Sequence, residues 1–193
     1  MTRRWTVRLT AGLVAGTAVL TGCSEKQSAN ETLPTHTSAE TTPELPPLGP
    51  EGLPVPPEAR EKTPEGAVEF VRYYVGLTKF LAEKAADPEP LIQLSEDCRT
   101  CANIAQSLAD DRAANYTYRE YAYEFTEYGP ARVDGDSAEM GFKYVQGPIT
   151  VVDPAGEVVA DRSAATPAEL QSGALLAWRT DLVSWVITGL MVG

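Results

Sequence analysis

Residues 101–125, CANIAQSLADDRAANYTYREYAYEF, contain a change in the spacing of apolar side chains that decides the fold class. In the first half, apolar residues recur at steps of three and four, as on one face of a helix: Cys101, Ile104, Ala105 and Leu108. In the second half they recur at every second position, as in a half-buried strand: Tyr121, Tyr123 and Phe125. The sequence therefore predicts a helix to about Ala114 and a strand after Asn115.

Upstream of this switch the pattern stays helical. Thr63, Pro64 and Glu65 are a typical helix start, with a hydroxyl N-cap, a proline in the first turn and an acid facing the positive end of the helix dipole. One stripe of side chains then follows at helical spacing: Ala67, Phe70, Val71, Tyr74, Thr78 and Leu81. The spacing predicts a long helix ending near Ala86 and a short second helix at 90–94.

Downstream of the switch, segments with a period of two or a short apolar run predict strands: 116–125, 140–144, 149–152, 174–178 and 185–191, with 158–159 as a short partner. Tyr116 and Tyr118 are out of phase with Tyr121, which predicts a bulge near Arg119 and Glu120. Helices followed by strands predict an α+β domain, in which N-terminal helices pack on one face of an antiparallel sheet.

Composition sets the class of protein. The chain has 193 residues, with 16 Lys and Arg against 27 Asp and Glu and a net charge of −11. This acidic balance argues against nucleic acid as a partner, because phosphate binding needs a basic face. Apolar residues make up 43% of the chain, which is enough to bury a core. Residues 63–193 hold all but one of the aromatic residues, so we expect one domain there.

The N-terminus has the pattern of an export signal. Arginines without acids precede an uncharged run from Leu9 to Leu20, whose helix would rise about 18 Å, short of the roughly 30 Å hydrocarbon core. Leu20-Thr21-Gly22-Cys23 then resembles the bacterial lipoprotein signal. The resemblance implies that residues 1–22 are removed and that Cys23 carries a lipid anchor on the extracytoplasmic face of the cell membrane. The alternatives are a secreted protein with a free Cys23, and export through a twin-arginine signal at Arg3-Arg4.

Residues 23–62 differ in composition from the rest. Eight of the fifteen prolines fall here, no residue is aromatic, and Ser, Thr and Glu are frequent. Such a segment buries too little apolar surface to offset the entropy of ordering, and proline favours extended conformations. We therefore predict a disordered stalk from the lipidated Cys23 to Lys62. A docking motif for an aromatic groove is the alternative.

A broader resemblance involves two motifs. Thr63-Pro64-Glu65-Gly66-Ala67 with Phe70-Val71-Arg72-Tyr73-Tyr74, followed by Leu94 to Cys101, resembles a family of actinobacterial envelope lipoproteins with a domain of unknown function. The order of helices and strands is similar to the cone-shaped, nuclear-transport-factor-like superfamily. The resemblance spans 54–193 and implies a curved sheet, an envelope location and a homodimer through the sheet. It implies no activity.

Cys98-Arg99-Thr100-Cys101 allows two interpretations. Outside the cytoplasm the two cysteines form a structural disulfide, and at a helix N-terminus they also suit a redox-active pair. Zinc is excluded by count, because two cysteines and no histidine in 63–193 cannot supply four ligands.

Asp110-Asp111 and Asp134-Gly135-Asp136 lack the spacing of a calcium loop, and we expect a solvated helix face and a turn. No phosphate or dinucleotide motif is present, and we predict no cofactor.

Aromatic residues are the candidates for a binding pocket: Phe70, Tyr74, Tyr121, Tyr123, Trp178 and Trp185. Glu120, Glu124 and Asp181 are the nearest acids, and the first two alternate with Tyr121, so no acid is expected to face inward. The resulting hypothesis is a non-catalytic lipoprotein whose domain binds a small apolar ligand or an envelope protein. The alternatives are an isomerase- or dehydratase-like enzyme that uses Tyr74 and a carboxylate, and a purely structural interaction module.

Overall fold

The computed structural model describes residues 45–193, so the predicted signal peptide, Cys23 and the first part of the predicted stalk lie outside the described residues. Three α-helices precede five strands. Their bounds are α1 Pro64–Lys84, α2 Glu89–Gln93, α3 Arg99–Ala113, β1 Thr117–Glu127, β2 Arg132–Asp134, β3 Ser137–Val152, β4 Ala168–Arg179 and β5 Ser184–Met191. Within this part of the chain, no helix combines the length and the apolarity needed to cross a membrane.

The start and end of α1 follow from local chemistry. The side-chain oxygen of Thr63 accepts a hydrogen bond from the Gly66 N–H at 3.0 Å, which confirms the predicted N-cap. The helix ends at Lys84 because Ala85 adopts a left-handed conformation with φ 46°. The apolar and aromatic residues of the predicted stripe are buried, and Tyr74 and Leu81 are each only 1% exposed.

The strands form one antiparallel sheet in the order β1-β3-β4-β5, with β2 paired to β3. The predicted bulge is confirmed, because the β1–β3 register shifts between Tyr118 and Glu120. Helices packed on an antiparallel sheet confirm the predicted α+β class.

The predicted strands at 140–144 and 149–152 are instead one strand, β3. Gly147 allows this continuity, because a Cβ there would come within 2.7 Å of the Ala122 Cβ across the pair.

The connection from β3 to β4 covers residues 153–167 and returns along β3 without becoming a full strand. Val158 makes an isolated bridge to Val152, and Ile149 and Ala164 exchange backbone hydrogen bonds of 2.8 Å. A 3-10 helix at Ala160–Arg162 lies between these contacts. The predicted strand at 158–159 is therefore a single bridge, and the connection is tied to β3 on both sides of Arg162.

The predicted stalk boundary at Lys62 is wrong. Residues before Thr63 pack on the domain, with a 3-10 helix at Pro57–Arg60 and with Val55 and Ala59 only 7% and 0% exposed. The hydroxyl of Tyr73 donates to the Leu53 carbonyl at 2.9 Å. Proline content favours an extended backbone, but an extended backbone with apolar side chains packs on a core as well as it spans solvent. The folded part therefore begins well before Thr63.

Candidate functional site

A cavity of about 330 Å³ lies between α1, α3 and the inner face of the sheet. Its walls are mostly apolar, with seven aliphatic or phenyl side chains: Val75, Ile104, Leu108, Phe142, Ile149, Leu190 and Val192. Four tyrosines complete the aromatic lining: Tyr74, Tyr118, Tyr121 and Tyr144. A concave, mainly apolar site with a few polar groups is the usual form of a small-molecule pocket.

Of the six predicted pocket aromatics, Tyr74 and Tyr121 line this cavity. Phe70 is fully buried in the core beside Tyr73. Tyr123 stacks on Tyr144 at 5.7 Å and is not among the residues that line the cavity. The pocket prediction is thus wrong for Phe70 and Tyr123.

The two tryptophans lie away from the cavity. Trp178 and Trp185 contact each other edge to face with 5.2 Å between ring centroids. The indole N–H of Trp185 donates to the Glu61 carbonyl at 2.9 Å, so this side chain fastens the segment before α1 to β5. Their placement in the pocket is wrong, because strand alternation fixes the face of the sheet but not the position along it.

The tyrosine hydroxyls in the cavity are protonated donors. Burial raises the pKa of Tyr74 to about 12, and its hydroxyl donates to the Leu91 carbonyl at 3.0 Å. Burial, and then the neighbouring Tyr144, raises the pKa of Tyr121, and burial raises the pKa of Tyr144. The proton of Tyr74 is therefore engaged with the backbone, while Tyr121 and Tyr144 remain neutral over the physiological pH range.

A buried acid that sequence reasoning missed lies next to the cavity. Asp111 was expected on a solvated helix face, but it is only 2% exposed. The Tyr118 hydroxyl donates to its Oδ2 at 2.5 Å, and burial together with this bond raises the pKa of Tyr118. The signal was present in the spacing, since Ile104, Leu108 and Asp111 follow one another at steps of four and three on the same helix face.

Arg162 reaches Asp111 from the β3–β4 connection. Its Nε lies 3.1 Å from Asp111 Oδ1, an ion pair without hydrogen-bond geometry, and its Nη1 donates to Ser107 Oγ at 2.6 Å. The Asp111 cluster, defined as Ser107, Asp111, Tyr118 and Arg162, forms the polar end of the cavity. Glu120 and Glu124 are exposed on β1, as predicted.

Cys98 and Cys101 form a disulfide with an S–S distance of 2.06 Å at the start of α3. The two residues are only 7% and 0% exposed, and Cys98 Sγ accepts from the Cys101 N–H as the helix N-cap. Thr100, Ile104, Ser107 and Leu108 on α3 line the cavity, so the disulfide holds the start of a cavity wall. Between residues 45 and 193, no group of three His, Cys, Asp or Glu side chains is placed to hold a metal ion.

Comparison with protein-family models finds no match for this chain, and no curated protein matches it. Among solved structures, it is similar to the intermembrane space region of the chloroplast protein ARC6, with 14% identity and a TM-score of 0.52. That similarity covers 66% of this chain and 93% of the ARC6 region. At this identity the likeness concerns the fold alone.

Two further solved structures are more distant. A putative calcium/calmodulin dependent protein kinase II association domain from Xanthomonas campestris has 11% identity over 64% of this chain and 84% of its own, at a TM-score of 0.36. A nuclear transport factor 2-like superfamily protein from Salmonella enterica serovar Typhimurium has 14% identity over 59% and 80%, at 0.34. These scores carry no argument about the present chain. The resemblance to actinobacterial lipoproteins stays a prediction.

Proposed function

We propose that this protein is a lipid-anchored extracytoplasmic protein whose domain binds a small, mainly apolar ligand without transforming it. The observation that carries the proposal is the cavity of about 330 Å³ with eleven apolar or tyrosine side chains in its lining. This volume lies near the lower end of the range for small-molecule pockets. Burying an apolar ligand against such walls supplies roughly 25 cal/mol for each Å² removed from water.

The state of the nearest acid supports binding over catalysis. Asp111 is paired with Arg162 and accepts from Tyr118, so both of its oxygens already face partners. A general base of the isomerase type needs a carboxyl within hydrogen-bond reach of substrate, held between two protonation states near neutral pH. Tyr74, the proposed donor of the enzymatic alternative, gives its proton to Leu91. A binding role therefore uses the cavity as it stands.

Replacement of Ile104 by phenylalanine is expected to weaken binding of the neutral fluorescent dye N-phenyl-1-naphthylamine at least tenfold. Ile104 lines the cavity from α3, and the larger ring takes up space that a ligand would occupy. The affinity is measured by fluorescence titration of the chain from Ser24 to Gly193. That chain contains all of the described residues, 45–193.

Ile92→Phe is the matched control, because Ile92 is 41% exposed on α2 and does not line the cavity. Its dye affinity should stay within a factor of two of the parent chain. Equal affinities for the Ile104 and Ile92 variants would place the dye elsewhere and contradict the proposed ligand site.

The lipid anchor is proposed from the sequence around Cys23. Cys23→Ala is expected to release the protein from the membrane fraction, because the thiol is the group that takes the lipid and a chain with two or more acyl groups is stably held. Cells that produce the full chain are extracted with detergent. The measurement is the fraction of the protein in the detergent phase, together with the intact mass of the protein. Ser24→Ala is the control and should remain in the detergent phase. A Cys23→Ala protein that partitions like its parent would contradict the anchor.

A further inference from the structure

We propose that the cavity selects an uncharged amphiphile, with an apolar body and one terminal oxygen that accepts hydrogen bonds, over a carboxylate or an amine of the same length. This inference rests on the proposed function and names the ligand class for the same site. It follows from the charge balance of the Asp111 cluster, which closes the polar end of the cavity.

The apolar body is set by the walls and by the volume. Aliphatic side chains and tyrosine rings surround most of the space. At the packing density of protein interiors, about 0.74, a cavity of 330 Å³ accommodates on the order of a dozen carbon atoms. A linear chain of about ten carbons with a small head group therefore fits without overpacking.

The polar end carries no uncompensated charge. Among the cavity-lining residues in the part of the chain that the structure describes, Arg162 is the one with a charged side chain. Its Nε faces the Asp111 carboxylate at 3.1 Å, and Asp111 is almost completely buried behind it. The positive and negative charges therefore cancel at short range, and an arriving ligand meets a dipole instead of a free cation.

A charged head group is disfavoured by this arrangement. A carboxylate must leave water, which costs several kcal/mol per ion unless a free cation repays it. The net charge of −11 on the chain repels anions at longer range as well. An ammonium head group also loses its hydration, and in the described lining no carboxylate compensates for this loss. A neutral head group avoids both costs.

The neutral groups at this end favour an acceptor on the ligand. Ser107 Oγ accepts from Arg162 and keeps its own proton for donation. Tyr121 and Tyr144 hold their protons at neutral pH and are hydrogen-bonded to each other, which leaves one of the two protons for a ligand. The Gln146 amide adds further donors to the lining. Asp111 Oδ2 is occupied by Tyr118, and Asp111 Oδ1 is buried against Arg162. An alcohol or ester oxygen is the complementary partner.

The test compares three probes with the same ten-carbon chain: 1-decanol, decanoate and decylamine. Each displaces bound N-phenyl-1-naphthylamine from the chain Ser24–Gly193 at pH 7.4. We expect 1-decanol to bind at least tenfold more tightly than either charged probe. Equal or tighter binding of decanoate or decylamine would overturn the inference while leaving a ligand cavity in place. If neither the dye nor any probe binds, the proposed function fails, and the inference fails with it.

Asp111→Asn tests the charge argument directly. The substitution leaves Arg162 without its counter-charge, so decanoate affinity should rise at least tenfold while 1-decanol affinity stays within threefold. Asp110→Asn is the matched control, because Asp110 is the adjacent residue on α3 and is exposed. The same decanoate affinity in both variants, with circular dichroism showing both folded, would contradict charge compensation. The ranking on the parent chain stands as a test even if Asp111→Asn does not fold.

Discussion

A chain that begins at Thr63 is expected to be less stable than one that begins at Leu45 by on the order of 5 kcal/mol in the free energy of unfolding. Small domains have total stabilities of roughly 5 to 15 kcal/mol, so the shorter chain should be close to unfolded. The measurement is urea denaturation followed by tryptophan fluorescence. The effect is large because the segment from 45 to 62 contributes to the core in three different ways.

The first contribution is apolar burial. Val55 and Ala59 are 7% and 0% exposed, and both belong to the core cluster that contains Phe70 and Leu77. Fully burying a valine-sized side chain contributes about 1.5 to 3 kcal/mol. Truncation also exposes to water the apolar surface of α1 that these residues cover.

The second contribution is Arg60, which is only 9% exposed and holds the β4–β5 turn. Its guanidinium donates to the carbonyls of Val183 at 3.1 Å, Leu182 at 2.5 Å and Pro46 at 2.7 Å. Desolvation by burial lowers the pKa of Arg60, but an arginine remains charged at any physiological pH. Hydrogen bonds to a charged donor contribute about 1.5 to 3 kcal/mol in mutational series.

The third contribution is the partner of Trp185. Its ring is fully buried, and its indole N–H donates to the Glu61 carbonyl. When residue 61 is absent, this N–H loses its protein partner at an otherwise buried site. An unsatisfied buried donor costs about 1 to 3 kcal/mol.

Arg60→Met separates the second contribution from the others. We expect a loss of at least about 2 kcal/mol in the free energy of unfolding, since the methylene surface is kept and the three hydrogen bonds are removed. Arg132→Met is the control, because the Arg132 side chain is 80% exposed, and it should change stability by less than about 0.5 kcal/mol. Equal stability of the chains that begin at Leu45 and Thr63 would restore the stalk boundary at Lys62.

The wrong boundary at Lys62 shows which part of the fold can be predicted from local sequence patterns. The Thr63 cap, the stripe on α1 and the change of period after Asn115 are local signals, and each of them gives the correct element. The contacts of Arg60 with Leu182 and Val183 join residues more than 120 positions apart, and nothing in a proline-rich segment announces them. Local periodicity predicts elements, whereas packing partners distant in the sequence decide where a domain begins.

The residues of the candidate site also fall into two groups, those that local periodicity predicts and those that it does not. Tyr74 and Tyr121 were found because each lies on the inward face of its element. Asp111 was missed because an acid beside another acid suggests solvent, although its spacing from Leu108 places it on the buried face. Its counter-charge, Arg162, comes from an irregular connection without any periodic pattern. A polar residue at an apolar position of a helix is therefore the signal that would have found this cluster.

Arg162→Met is expected to lower the free energy of unfolding by about 3 kcal/mol, more than Asp111→Asn, which should cost about 1 kcal/mol. The asymmetry follows from exposure, because the side chain of Arg162 is 31% exposed and that of Asp111 is 3% exposed. Without Asp111, water still solvates the guanidinium. Without Arg162, a carboxylate stays buried with the Tyr118 hydroxyl as its remaining hydrogen-bond donor.

The double variant Asp111→Asn with Arg162→Met should be more stable than Arg162→Met alone by about 1 to 2 kcal/mol, since the uncompensated buried charge is then absent. Arg112 and Asp87 provide the control cycle: their ion pair at 3.7 Å also involves α3, but the side chains are 53% and 68% exposed. A coupling of less than about 0.5 kcal/mol is expected there. If both cycles gave the same small coupling, Asp111 would not be a buried anion held by Arg162, and the neutral polar end of the cavity would lose its physical basis.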